Sequence, residues 1–144
     1  MIDAKRYLQQ IEKCDERIKL KTEDLEQLKS FTEKVTSTLS DVSVAGTKNN
    51  DKMGDAVAKI VELQDDINCE VARLADLKKE ACAVLDKVSD ERHYKMLYKH
   101  YVLLHSLVQC AADMHYSYRG ICKLHGRALQ SVQRILEGEN NGQG

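Results

Sequence analysis

Residues Leu103–Leu136 read LLHSLVQCAADMHYSYRGICKLHGRALQSVQRIL, and they hold two helical patterns that meet at His115-Tyr116. In the first pattern, apolar residues at steps of three and four define one helix face: Leu107, Cys110, Ala111 and Met114. The second pattern begins at Ser117, whose hydroxyl can cap the free N–H groups of a new helix. Its apolar residues recur at the same steps: Ile121, Leu124, Ala128, Val132 and Ile135. The stretch therefore predicts a short helix, a tight turn and a longer helix.

The outward faces of the second helix are basic. They carry Arg119, Lys123, Arg127 and Arg134, and no acid occurs from Ser117 to Leu136. A short helix joined by a tight turn to a longer basic helix is typical of a helix-turn-helix, which lays its second helix in the major groove of DNA. The alternative is a corner between two amphipathic helices in a bundle that binds no nucleic acid.

The composition of the chain favours an all-helical protein. Its 144 residues suit one domain or two small helical ones. Proline is absent, glycine occurs 7 times, and 31% of the residues are charged. No apolar run reaches the length of a membrane span, and the opening residues MIDAKRY lack a signal-peptide core, so we expect a cytoplasmic protein that contacts no membrane. Five cysteines without paired spacing indicate reduced thiols.

Charge is distributed unevenly, although the net charge is only −1. Residues 1–91 hold 15 Lys and Arg against 20 Asp and Glu, whereas residues 92–134 hold seven basic residues and one acid, Asp113. All five histidines lie in this basic segment. A basic block after an acidic one favours a nucleic-acid-binding face on one module only. The alternative is a solvated helical surface with no nucleic-acid partner.

Residues 3–39 follow one long helical pattern with a narrow apolar stripe. The stripe consists of Leu8, Ile11, Cys14, Ile18, Leu25, Leu28, Val35 and Leu39, with Lys21 and Thr32 in its polar gaps. Charged residues fill the flanks, as they do beside a coiled-coil seam. A single helix cannot bury such a stripe by itself, so the pattern predicts a helical partner.

The same chain offers that partner. Periodicity stops in residues 40–54, SDVSVAGTKNNDKMG, where Ser, Asn, Asp and Gly indicate a loop. A second seam then starts after Asp55 and consists of Val57, Ile60, Gln64, Ile67, Val71, Leu74, Lys78, Ala81, Leu85 and Val88. Two helices of matched length predict a long antiparallel coiled-coil hairpin. Pairing of each stripe with another chain, and a homodimer built on the hairpin, stay open as alternatives.

A third helix leads into the basic segment. Ser89-Asp90 breaks the second seam and can cap a helix over residues 90–102, which we expect to pack against the helix-turn-helix. The last residues, EGENNGQG, have nothing to bury. The predicted organisation is all-α, with the hairpin in residues 1–88, a helix-turn-helix module in residues 89–137 and a flexible tail in residues 138–144.

The sequence gives little sign of catalysis. Cys122 and His125 have the spacing of half a zinc site, but no second tight pair completes four ligands. There is no recognisable glycine-rich phosphate loop, carboxylate pair in a pocket, or cysteine with an evident histidine base. We therefore expect a protein that is not an enzyme and that holds no metal or cofactor.

Two groups of residues resemble those of small phage and prophage transcription regulators of the ArpU and RinA kind, and of a related phage domain with a sigma-factor region-four-like C-terminus. The first group is DKM at residues 51–53, followed by DAVAKIV at residues 55–61. The second is Met114, then YSYR at residues 116–119 and LHGRAL at residues 124–129. The resemblance covers nearly the whole chain.

This resemblance implies a helix-turn-helix that binds promoter DNA of late or packaging genes in a bacterial host, with RNA polymerase as a further contact. The chain also departs from the family pattern. His115 occupies a turn position where the family usually has glycine, and such a position can need a positive φ. Gly120 stands where a strong DNA-binding helix would carry a polar or basic side chain.

Helix geometry places Tyr118, Arg119, Cys122 and Lys123 on the outer face of the first two turns, the part that would enter the groove. The candidate DNA-binding residues are Ser117, Tyr118, Arg119, Cys122, Lys123, His125 and Arg127. Ser117 caps the helix, and the N–H groups behind it can bind a phosphate. Arg119 and Lys123 can reach guanine acceptors, while Arg127 and His125 are expected at the phosphate backbone.

We therefore expect a phage-type transcription regulator that binds double-stranded DNA. The alternative is a helical adaptor or inhibitor that binds a partner protein through the hairpin or through the helix-turn-helix surface.

Overall fold

The computed structural model describes the backbone of residues 3–41 and 47–141 and the side chains of residues 3–35 and 51–138. These residues are almost entirely helical and include no strand, which confirms the predicted all-α class. The helices are α1 (Ala4–Asp41), α2 (Thr47–Leu85), α3 (Glu91–Leu97), α4 (Leu107–Met114) and α5 (Tyr118–Asn141), and a π-helical turn (Tyr98–Val102) follows α3.

The chain divides into two compact units. Unit 1 combines Met1–Cys14 with Leu74–Gly144, and unit 2 is Asp15–Arg73. Unit 1 thus includes the start of α1 and the end of α2 together with α3, α4 and α5. The division of the chain after residue 88 stays a prediction. Helix α5 continues to Asn141, past the end predicted for the module, and residues 142–144 of the predicted tail lie outside the described residues.

The stripe predicted for α1 faces inward. Its buried and half-buried members are Leu8, Ile11, Cys14, Ile18, Lys21, Leu25, Leu28, Thr32 and Val35. Leu39 lies outside the residues whose side chains are described. Because every step is three or four residues, the stripe stays on one side of the helix.

The seam predicted for α2 is wrong at three positions. Val57, Gln64 and Val71 are exposed, and the inward-facing residues are those one position earlier: Ala56, Leu63 and Glu70. Both sets lie at helical spacing from Ile60 and Ile67, so periodicity alone does not choose between them. The observed choice keeps the amide of Gln64 in water, where its Nε2 donates to Asn68 Oδ1 at 3.1 Å. Burying that amide without a partner would cost stability.

The predicted loop between the long helices is too long. Helix α1 continues to Asp41 and α2 already begins at Thr47, so residues 47–54 are helical; residues 42–46 lie outside the described residues. Asn, Asp and Gly disfavour helix by at most about 1 kcal/mol each, and a helix that has formed gains one hydrogen bond per added residue. With no proline to stop it, α2 extends into the polar segment.

Residues of α1 and α2 meet within unit 2. Lys21 Nζ lies 3.9 Å from Glu70 Oε1. Further along α1, residues Asp24 and Leu28 share a shallow groove with α2 residues Lys59, Glu62, Leu63 and Asp66. Leu25, Ala56 and Ile67 are buried in this unit.

Two clusters of buried residues form the core of unit 1. The base cluster contains Ala4, Leu8, Ile11, Ala81, Val84, Leu85, Val88, Leu97, Tyr101, Val102, Ala128 and Val132. The turn cluster contains Met96, Cys110, Ala111, Ile121 and Leu124. Helix α5 contributes to both clusters, its first turns to the turn cluster and its middle to the base cluster. The apolar faces predicted for α4 and α5 are therefore confirmed.

Capping and a change of helix type shape the segment before α4. Asp90 Oδ1 accepts hydrogen bonds from the backbone N–H groups of Arg92 (2.9 Å) and His93 (3.4 Å), which confirms the predicted cap of α3. In the π-helical turn the N–H of Leu103 donates to Tyr98 O at 3.0 Å. The chain then bends at Leu104, which has a φ of 61°.

Substitutions at Leu63 and Val71 test which residues of α2 form the seam. Leu63 is half-buried, whereas Val71 is 49% exposed. We expect Leu63→Ala to lower the free energy of unfolding by about 1–2 kcal/mol, and Val71→Ala to lower it by less than about 0.5 kcal/mol. Urea unfolding followed by circular dichroism measures both. A larger loss for Val71→Ala would favour the seam expected from the sequence.

Candidate nucleic-acid interface

The turn between α4 and α5 is closed by backbone hydrogen bonds. The N–H of His115 donates to Ala112 O at 3.4 Å, and the N–H of Tyr116 donates to Ala111 O at 2.9 Å. This pair of bonds is the Schellman motif, which ends a helix through one left-handed residue. The Tyr116 side chain packs against the turn cluster, which contains Ala111. The turn therefore has a fixed geometry, set by the main chain and one apolar contact.

His115 is the left-handed residue of this motif, with φ 61° and ψ 42°. The sequence-based expectation of a positive φ at this position is confirmed. Glycine adopts this region freely, whereas a residue with a Cβ is disfavoured there by about 1–2 kcal/mol. The imidazole itself is exposed, so no side-chain packing offsets this cost.

Helix α5 begins at a side-chain cap. The backbone N–H of Gly120 donates to Ser117 Oγ at 3.0 Å, which confirms the predicted cap. Gly120 faces inward: a Cβ at this position would lie 3.1 Å from Ser117 Oγ and 3.4 Å from Tyr116 Cδ2. Glycine therefore leaves room for the cap and for the tyrosine ring. The polar or basic side chain expected at residue 120 would not have faced outward.

The exposed face of α5 is lined by basic side chains. Arg119, Lys123 and Arg127 are exposed at steps of four residues, and Arg134 is exposed further along the helix. Tyr118 is 58% exposed beside them. None of the three cations at residues 119–127 has an ion pair within the part of the chain that the structure describes. The face thus presents uncompensated positive charge to solvent.

Two of the candidate residues do not lie on this open face. Cys122 is half-buried, packs against the turn cluster and forms a hydrogen bond that raises the pKa of Tyr118. His125 is half-buried, and its Nε2 lies 2.6 Å from the hydroxyl of Tyr101. The Nε2 atom of this ring is therefore engaged inside unit 1 and not at the exposed face of α5. The structure therefore brings together Ser117, Tyr118, Arg119, Lys123 and Arg127 and turns His125 inward.

The Tyr101–His125 pair has a defined protonation state. Burial, followed by the charges of Glu12 and Asp3, raises the pKa of Tyr101. Burial also lowers the pKa of His125 to about 4, with smaller contributions from His100 and Lys5. Near neutral pH the tyrosine hydroxyl therefore donates to a neutral imidazole.

Sequence reasoning missed this pair. The two residues are 24 positions apart, so no helical period joins them. The rings of His100, Tyr101 and His125 also lie in mutual contact, with centroids 4.7–5.6 Å apart. The one available signal was the gathering of all five histidines in the basic segment, which marks a region but not a pair.

The half zinc motif, Cys122 and His125, does not come together with Cys110 and His115 as a metal site. Cys110 is buried, His115 is exposed, and His125 is bonded to Tyr101. Within residues 3–35 and 51–138, no three His, Cys, Asp or Glu side chains are grouped so that they could hold a metal ion.

The geometry of α4, the turn and α5 suits contact with a polyanion. The N-terminus of α5 carries free N–H groups and the positive end of the helix dipole, both of which favour a phosphate. The three cations extend from that end along one face. Phosphate contacts would position such a helix, and the side chains of its first turns would reach base edges.

Comparisons with known proteins give this chain no relative: no family model, curated protein or solved structure matches it. Among the described helices, none has both the length and the apolar character that crossing a lipid bilayer requires.

Replacement of His115 by glycine tests the strain in the turn. We expect His115→Gly to raise the free energy of unfolding by about 1 kcal/mol, because the left-handed conformation is retained without a Cβ. Urea unfolding measures the change. Leu104→Gly is the matched comparison at the same φ, and it should give no gain because the Leu104 side chain packs against the base cluster. A loss of stability in His115→Gly would contradict the assignment of backbone strain to His115.

The Tyr101–His125 pair predicts a pH dependence of stability. The imidazole of His125 has a pKa of about 4 in the folded chain, against 6.5 for an ordinary histidine. Between these two pH values the unfolded chain binds a proton at His125 and the folded chain does not, which favours unfolding. The contribution of the neutral His125 imidazole to the free energy of unfolding is complete above pH 6.5 and is lost as the pH falls towards 4. We expect the urea midpoint to drop less between about pH 7.5 and about pH 5 in His125→Gln than in the native chain.

The exposed residue His115 provides the control for this measurement. His115→Asn keeps a residue that tolerates positive φ, and it should retain the native pH dependence. Identical pH profiles for His125→Gln and the native chain would exclude the neutral-imidazole assignment.

Proposed function

We propose that this protein is a transcription regulator that binds double-stranded DNA, with α4 and α5 as a helix-turn-helix and α5 as the helix that enters the major groove. The observation that carries the proposal is the exposed row Arg119, Lys123 and Arg127, which extends from the Ser117-capped start of α5. Recognition helices contact base edges with residues near their N-termini, and the rest of such a helix contacts the backbone.

The position of each cation along α5 suggests its role. Arg119 lies in the first turn and Lys123 in the second, so these two side chains are the candidates for guanine acceptors. Arg127 lies one turn further, and we assign it to a backbone phosphate. Tyr118 adds an exposed ring that can contact sugar or a thymine methyl group.

The long helices supply the second part of the proposal, an antiparallel coiled-coil hairpin. The order of contacts in unit 2 supports it: Lys21 lies near Glu70, while Leu28, later in α1, lies beside Leu63, earlier in α2. Residues 1–91 carry a net charge of −5. An acidic hairpin would be repelled by the DNA backbone, which leaves the basic module as the contact surface.

The resemblance to the ArpU and RinA regulators narrows the proposal to phage promoters. It rests on the sequence groups around residues 51–61 and 114–129. A regulator of this kind would act in the cytoplasm of a bacterial host, with RNA polymerase as a second contact and a homodimer as one form of the bound protein.

A second candidate function is a helical adaptor that holds a partner protein through the long helices. Five large apolar side chains on α1 and α2 are exposed, and they favour this alternative: Leu20, Phe31, Val57, Val61 and Val71. The salt dependence of binding separates the two candidate functions. Phosphate-driven binding weakens steeply with salt, whereas apolar contacts between proteins do not.

Fluorescence anisotropy with a labelled random-sequence duplex tests the proposed function. With three or four phosphate contacts, the affinity should fall about 40- to 150-fold between about 50 and 200 mM salt. Arg127→Ala should weaken binding to all duplexes and lower the salt slope by about one. Lys29→Ala, which removes an exposed lysine of α1, should leave binding unchanged.

A duplex selected from a random pool then tests specificity. Arg119→Ala should weaken binding to the selected duplex by about 1–3 kcal/mol and to random duplex much less. Binding that is unaffected by salt, or equally small effects of Arg119→Ala and Lys29→Ala, would refute the proposal.

A further inference from the structure

Two parallel rows of residues run beside each other along the first three turns of α5. Residues four positions apart lie one above the other on a helix. The basic row consists of Arg119, Lys123 and Arg127, and the neutral row, one position earlier each time, consists of Tyr118, Cys122 and Gly126. A partner that approaches the basic row therefore meets the neutral row as well.

Tyr118 supplies the large side chain of the neutral row, and it is 58% exposed. Its hydroxyl shares a hydrogen bond with the thiol of Cys122, one turn further along α5, and this bond raises the pKa of Tyr118. Cys122 in turn packs against the turn cluster. The bond thus holds the ring along α5, so that a partner meets the apolar surface of the ring and not an unoccupied hydroxyl.

The neutral row ends at a position without a side chain. Gly126 is exposed, and a Cβ at this position would meet nothing within 4 Å in the described part of the chain. Gly120 differs, because a Cβ there would crowd Ser117 and Tyr116. At Gly126 the surface of a partner can come close to the backbone of α5, next to the ring of Tyr118 and its cysteine.

The charge beside the neutral row favours an anionic partner. The three cations of the basic row have no ion pair within the described part of the chain. Asp113 is the one acid in residues 92–134, and its Oδ2 lies 3.5 Å from Lys99 Nζ. The neutral row thus lies next to uncompensated positive charge, in the turns of α5 that would enter the major groove.

We propose that the ring of Tyr118 recognises the methyl group of a thymine in the major groove, and that α5 therefore prefers DNA sites with a thymine at this position. This inference rests on the proposed function and names the sequences that the same site selects. Every base pair displays hydrogen-bonding groups in the major groove, but only thymine displays an apolar group there. A ring whose hydroxyl is bonded within α5 matches that apolar group. A contact with sugar would carry no such preference.

Deoxyuridine tests the inference, because it keeps the hydrogen-bonding groups of thymine and lacks the methyl group. In the duplex selected from a random pool, each thymine is replaced in turn by deoxyuridine, and fluorescence anisotropy measures the affinity of the full-length chain. Replacement at one position should weaken binding by about fourfold, the effect of removing one buried methyl-sized group.

Tyr118→Ser should bind the thymine duplex and that deoxyuridine duplex with equal affinity, because the ring is gone. Phe31→Ser is the matched control, since it removes an aromatic ring of α1 that is 46% exposed. It should keep the full preference for thymine. Both variants should retain the salt dependence of binding, because the basic row is unchanged.

The outcomes separate this inference from the proposed function. If the native chain binds duplex in a salt-dependent manner but no deoxyuridine replacement weakens it, the inference fails and the proposed function stands. The inference also fails if Tyr118→Ser keeps the preference for thymine, or if the selected duplex holds no thymine. If the native chain binds no duplex at all, both fail.

Discussion

The packing of α5 is the interaction on which unit 1 depends. Its first turns contribute Ile121 and Leu124 to the turn cluster, and its middle contributes Ala128 and Val132 to the base cluster. Burial of Ile121, Leu124 and Val132 stabilises the fold by about 1.5–3 kcal/mol for each side chain. One helix therefore joins the short helix α4 to the ends of both long helices in unit 1. Because the apolar face of α5 is buried in these two clusters, the basic residues on its other face are exposed to solvent.

Helix α4 is held between two residues with left-handed backbones, Leu104 before it and His115 after it. Each is disfavoured by about 1–2 kcal/mol relative to an ordinary conformation. Packing offsets the cost at the first, because Leu104 contacts the base cluster. At the second, the offset comes from the two backbone bonds of the turn and from Tyr116 against the turn cluster. The orientation of α4 is thus set by main-chain geometry at both ends.

The charge of the exposed face comes from arginine and lysine rather than from histidine. His125 is bonded to Tyr101 and has a pKa of about 4, so it stays neutral near neutral pH. Protonation of this interior pair therefore bears on stability in acid and not on the charge of the exposed face.

Local pattern determined the helical class, the inward stripe of α1, the apolar faces of α4 and α5, and the caps at Asp90 and Ser117, because helical spacing and capping depend only on residues a few positions apart. The tertiary structure decided between residues that fit the helical spacing equally well. It chose Leu63 over Gln64 for the seam of α2, since either fits a helical step and only contact with a partner selects one. It also turned His125 towards Tyr101, because a hydrogen bond between residues far apart in sequence exists only once the helices have packed.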